Sequence, residues 1–210
     1  MLKENVLIIY FNVESEGYQA FAEMCENSFS QSNSILIEQA SLIKRENGNI
    51  IAKENFNNGQ KLGEAVAIGS IIGSFIGILG GPLGILLGMG VGAAIGSIPS
   101  LNDKEENAGL LQSVTSRLQD NDIAILAVVQ EENELLLDKY LAKFDATIVR
   151  HDAYVIEEEI EYAEDLQKEL AHLARIQMRQ ERSEERKRKA EAKRAQIHAR
   201  FEALKEKLKS

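Results

Sequence analysis

No charged residue stands between Glu64 and Asp103, and glycine recurs at every fourth position within that stretch of 38 residues. The first arm holds Gly69, Gly73 and Gly77, and the second holds Gly84, Gly88, Gly92 and Gly96. Gly80, Gly81 and Pro82 form a turn between them. A spacing of four places each set on one face of a helix. Each glycine costs roughly 1 kcal/mol of helix propensity in water relative to alanine. Seven of them are a heavy penalty for a solvated helix. The pattern therefore asks for an environment in which close backbone approach repays that cost.

Two environments meet the demand. In lipid an unbonded backbone group costs several kcal/mol, so the chain stays helical and glycine stripes let helices approach closely. In a protein interior the same stripes pack against a neighbouring element or a second subunit. Each uncharged arm is about 16–19 residues, or ~24–28 Å, against a hydrocarbon core of ~30 Å. The expectation taken here is a glycine-zipper hairpin over residues 60–100 that inserts in lipid as transmembrane helices and self-associates. The alternative is a hairpin buried between subunits of a soluble homo-oligomeric scaffold.

Around this segment lie strand and helix patterns in a regular order. Asn5–Asn12 (NVLIIYFN) is a short β-branched and aromatic run with polar bounds, the pattern of a buried strand. A helix follows through Tyr18, Phe21, Ala22 and Cys25. SILIEQASLIKRENGNIIAKENF reads as two strands joined at Asn47-Gly48. After the hairpin come a short helix (Leu110, Leu111, Val114, Leu118), the buried strand DIAILAVVQ, a helix through Leu135, Leu136, Tyr140, Leu141 and Phe144, and a final strand ATIVRHDAYVI. Without residues 45–121 the order is βαβ followed by βαβ. The predicted fold is α+β: a ferredoxin-like split βαβ domain over 1–156, four-stranded and antiparallel, with the hairpin as an insertion.

From Glu157 to Ser210 the chain has no glycine or proline and is rich in Ala, Glu, Lys, Arg and Leu. One long helix is expected, on the order of 50 residues or ~75 Å. An apolar seam of coiled-coil type runs through Ile160, Leu166, Leu170 and Leu173, and another through Ile197, Phe201, Leu204 and Leu208. The charged middle between them breaks the seam. Pairs such as Glu184–Arg188 and Glu185–Lys189 support that middle as a solvated helix.

The net charge of −9 is divided unevenly. Residues 175–210 hold 13 Lys+Arg and 6 Asp+Glu, whereas residues 1–174 hold 11 and 27. An acidic body thus carries a basic tail. Arg186, Lys187, Arg188, Lys189, Lys193 and Arg194 are the candidate contacts with an anionic surface, with anionic lipid as the preferred partner. Nucleic acid is disfavoured, because tryptophan is absent and IAILAVVQ offers no aromatic pair for base stacking.

The VLIIYF strand, the GSIIGSFIGILGGPLGILLGMGVGAAIG insert, and DIAILAVV followed by ELLLDKYLAKFDATIVRHD resemble a bacterial family of predicted membrane proteins of unknown function, in which a ferredoxin-like domain carries a glycine-rich hairpin. The likeness covers about residues 1–156. It implies a membrane location and supplies no catalytic residue or cofactor. The long basic helix departs from the family's short form.

Catalytic chemistry finds no footing in the sequence. His151 and Asp152 alternate to opposite faces of a strand, and His172 and His198 lie far apart on the long helix. No spacing gathers three metal ligands. Cys25 reads as a small buried hydrophobe. No Lys-Ser/Thr follows the glycines as a phosphate loop requires, and the Gly90–Gly96 string lies inside an apolar arm. The acidic run Glu157–Glu159 reads as the favoured start of a helix. The sequence thus points to a non-enzymatic membrane-associated protein without metal or cofactor. It would lie at the cell membrane with body and tail on the cytoplasmic side. A homo-oligomer is its expected state, and a nucleic-acid binder acting through the tail is the second alternative.

Overall fold

The computed structural model describes residues 3–26, 35–57, 60–63, 70–88 and 109–207. Its strands are β1 (Lys3–Phe11), β2 (Ile35–Glu46), β3 (Asn49–Asn57), β4 (Gln60–Gly63), β5 (Ile123–Glu131) and β6 (Ala146–Asp152). Its helices are α1 (Glu14–Glu26), α2 (Ile71–Leu79), α3 (Pro82–Gly88), α4 (Leu110–Arg117), α5 (Glu134–Leu141) and α6 (Ala153–Lys207). The chain divides into a body, Met1–Gln167, and a second unit, Lys168–Ser210, formed by the rest of α6 and the chain end.

The body is α+β. All strand pairs are antiparallel, in the order β4-β3-β2-β5-β1-β6. The sheet is therefore six-stranded where four strands were expected, because β3 and the four-residue β4 extend it beyond β2. Asn47 (φ 52°) and Gly48 (φ 80°) both take the left-handed conformation at the β2–β3 turn. That pair of positive angles suits the right-handed twist of a tight hairpin, and Asn-Gly supplies it at low cost. The Gly48 N–H donates to Asp120 Oδ1 at 2.8 Å, which ties the turn to the start of β5.

Both faces of the sheet are buried along its central strands β1 and β5. Leu7, Ile9 and Phe11 of β1 and Ile123, Ile125, Ala127 and Val129 of β5 form one core with Ala20, Phe21 and Met24 of α1 and Leu137 and Leu141 of α5. Strand alternation sends Val6, Ile8, Tyr10, Ala124, Leu126 and Val128 to the opposite face, where they too are buried. This is why IAILAVV shows no polar alternation. The second face is covered by α2, which contacts β2, β3 and β5, and by α4, whose Arg117 guanidinium lies 4.1 Å from the Tyr10 ring centroid.

The apolar hairpin thus contributes to the core. Ile72, Phe75, Ile76, Ile78 and Leu79 of α2 and Leu83 of α3 are all buried. Burying six such side chains gains on the order of 10 kcal/mol before entropy is counted. Ser70 starts α2 by accepting from the Gly73 N–H at 3.0 Å, and Gly80 ends it by donating to Ile76 O. The described arms have 9 and 7 residues. Among the described residues no helix is long and apolar enough to cross a membrane. The expectation of transmembrane helices is therefore corrected: the turn at Gly80–Pro82 closes α2 after two and a half turns, and its apolar face lies on the sheet.

Two further boundaries differ from expectation. The final strand ends at Asp152, because Asp152 Oδ1 accepts from the Tyr154 N–H at 3.0 Å and starts α6. AYVI therefore opens the helix and does not extend the strand. As a result the Glu157–Glu159 run sits one turn inside α6, where Glu159 points inward with Ile156, Ile160 and Ala163 at helical spacing.

The glycines of the hairpin meet different surroundings. A Cβ on Gly84 would stand 2.0 Å from Leu79 O, in the backbone of the preceding helix. A Cβ on Gly77 would meet nothing within 4 Å. Gly84→Ala is expected to lower stability by about 2 kcal/mol or more, as overpacking against rigid backbone does. Gly77→Ala should raise it by about 0.5–1 kcal/mol through helix propensity. Thermal unfolding of the two variants checks this. Equal shifts of the same sign would contradict the packing.

Candidate functional site

One cluster of buried polar groups in the body joins Glu131, Asn5 and Arg150. Glu131 is 1% exposed. Its Oε1 accepts from Asn5 Nδ2 at 2.9 Å and from Arg150 Nε at 2.9 Å. Arg150 also donates to Asp138 Oδ1 at 2.6 Å and to Glu134 O at 3.4 Å. Its own pKa is moved upward: burial opposes the charge, and the Glu131 and Asp138 carboxylates outweigh it. This cluster joins β1, β5, β6 and the start of α5. The guanidinium compensates a carboxylate that is costly to bury alone, so the arrangement is structural. Sequence reading passes over it because Glu131 looks like the polar end of a strand.

Glu159 is the second buried carboxylate. Its two oxygens accept from the N–H groups of Leu110 and Leu111 at 2.8 and 2.9 Å. Gly109 precedes α4 and offers no side-chain cap. Glu159 therefore supplies in trans what an N-cap residue supplies locally. Burial raises its pKa, and the two backbone donors oppose the rise. On the far side of the sheet, Glu23 is held down to about 2 by Lys143 first, then by Gln19 and Tyr140. It links α1 to α5.

The histidines do not converge. Burial lowers the pKa of His151 on β6, and His172 and His198 are exposed on α6. Among the described residues no group of three His, Cys, Asp or Glu side chains is placed to hold a metal. A shallow depression beside Arg45, Thr115 and Asp120 offers no free reactive group. Its Arg45 guanidinium is committed to Thr115 O and Leu118 O, at 2.8 and 2.7 Å, at the end of α4.

The remaining candidates are the hairpin and the tail. Gly73 and Gly77 lie on α2, and Gly80 and Gly81 form the turn. Pro82 opens α3, Gly84 is buried at its start and Gly88 ends it. Gly69, Gly92 and Gly96 lie outside the described residues, as does Gly90. Gly81 faces the Gln167 side chain, whose Oε1 would stand 2.4 Å from an added Cβ. Arg186, Lys187, Arg188, Lys189, Lys193 and Arg194 are all exposed on α6. The expected Glu185–Lys189 pair is present at 2.7 Å.

Comparison with protein-family models, with curated proteins and with solved structures returned no match.

The pKa of Glu159 sets a testable pH dependence. A carboxyl whose folded value lies above its ordinary 4.5 contributes stability that is fully present below that value and is lost as pH rises through the folded one. Glu159→Ala should therefore cost about 1–2 kcal/mol near pH 4.5 and less at pH 8. Denaturant unfolding of both proteins across that range measures the difference. A cost that grows with pH would contradict it.

Proposed function

We propose that this chain is a non-enzymatic interaction protein: a ferredoxin-like body that uses part of its apolar hairpin as core, and a long charged helix that meets an anionic lipid surface. The strand order supports the fold. The β2-β5-β1-β6 portion, with α1 and α5 on one face, is the arrangement of a split βαβ pair, and β3 and β4 extend one edge. The observation that carries the function is the exposed run of α6. Every side chain from His172 to Ala199 is exposed, and the segment from residue 175 onward holds the chain's basic excess. Such a helix has no core to serve, and positive charge near an anionic leaflet gains up to about 1 kcal/mol per Lys or Arg. The location that goes with this reading is the cytoplasmic side of the cell membrane. The acidic body favours an orientation with only the tail against the surface.

A second reading, self-association through α6, is favoured by Leu173, Ile176, Met178 and Ile197, which are 40–54% exposed.

The full chain should float with vesicles containing about one-third anionic lipid at low ionic strength and be released as salt rises, since the Debye length falls to about 8 Å at 0.15 M. It should not float with neutral vesicles. Flotation independent of lipid charge, or none at low salt, would overturn the proposal. A concentration-dependent mass in sedimentation without lipid would promote the second reading.

A further inference from the structure

The basic residues of α6 are not spread evenly round it. At about 100° per residue, Arg175, Arg179, Arg182, Arg186, Lys189 and Lys193 fall within a sector of roughly 80°. All six are exposed. Glu181, Glu184, Glu185 and Glu191 fall outside that sector, and Glu185 touches its edge through Lys189. Lys187, Arg188 and Arg194 also project away from it, although they belong to the densest basic run in the sequence. The row advances by 4, 3, 4, 3 and 4 residues and covers 18, or about 27 Å of helix axis.

We propose that this row, and not the basic run as a whole, is the docking face of α6, and that it lies flat on the phosphate headgroups of an anionic bilayer. This rests on the reading above that α6 meets an anionic lipid surface. Three observations favour a bilayer over a duplex nucleic acid. A straight, one-sided row matches phosphates spread in a plane, whereas the phosphates of a duplex curve away from a straight helix after a few contacts. A helix held in a groove uses both flanks, but here the flanks mix Glu181, Glu184, Glu185 and Glu191 with Lys187, Arg188 and Arg194 and form no second basic row. Beyond the row, the same sector reaches position 197 at its edge, which the sequence fills with an exposed Ile. An apolar position following a basic row suits the headgroup boundary of a membrane.

Arginine suits the role. Its guanidinium binds phosphate through a fixed fork of donors, and four of the six positions carry it. The glutamates on the remaining surface orient the helix, because rotation about its axis would bring them to the anionic plane.

Two full-length variants with the same change of charge separate this from bulk attraction. One carries Arg179→Gln, Arg182→Gln and Arg186→Gln within the row. The other carries Lys187→Gln, Arg188→Gln and Arg194→Gln outside it. Glutamine preserves helix propensity, and circular dichroism verifies equal helicity. Binding to anionic vesicles should weaken about thirty- to hundred-fold in the first and less than about five-fold in the second. Equal losses would overturn the row while leaving lipid attraction in place. Failure of the unaltered chain to bind vesicles would overturn both. Tighter binding to a nucleic-acid duplex than to vesicles at equal salt would overturn the choice of occupant.

Discussion

The body depends on the burial of β5 from both sides. Ile123, Ile125, Ala127 and Val129 look to one face, and Ala124, Leu126 and Val128 to the other, none more than 1% exposed. An antiparallel sheet with one wet face needs a single helical layer. A sheet with a central strand of this kind needs two. The helices α1 and α5 make the first layer. The second must come from elsewhere in the chain, and α2, α4 and the opening turns of α6 supply it. Removing them would expose Val6, Ile8, Tyr10 and the even positions of β5 to water.

That requirement gives the apolar hairpin a role that needs no lipid. Phe75 and Ile78 are as buried as the strands beneath them. The Gly84 approach to Leu79 shows one place where glycine is needed for close contact within the chain, while a Cβ added at Gly77 would meet nothing within 4 Å. The same second layer explains the two buried carboxylate contacts of α4: it begins without a cap, and Glu159 reaches across from α6 to provide one. Helix α6 is thus anchored by Ala153, Ile156, Glu159, Ile160 and Ala163, and from His172 to Ala199 its side chains are exposed.

Much of the fold is legible in the sequence. The β-branched runs gave the strands, Asn47-Gly48 gave the hairpin, and the absence of glycine and proline after residue 157 gave the long helix. Other features leave no local trace. Apolar residues spaced for a helix face look alike whether that face meets lipid or a sheet, so α2 could not be placed from its own residues. Glu131 and Glu159 read as surface carboxylates because their partners, Asn5 with Arg150 and the Leu110–Leu111 amides, lie far away in sequence. The short β4 has too few residues for a periodic signal. The one-sided row on α6 is present in the spacing, but it emerges only once the helix is continuous through Arg175–Lys193.

The central claim is that α2 belongs to the core of the body. Phe75→Ala in the full chain, followed by equilibrium unfolding monitored on the sheet, tests it most directly. Phe75 is fully buried, so the loss should be about 3–5 kcal/mol, with the sheet and α2 unfolding in one transition. A sheet that unfolds at the unaltered denaturant midpoint in this variant would contradict the account.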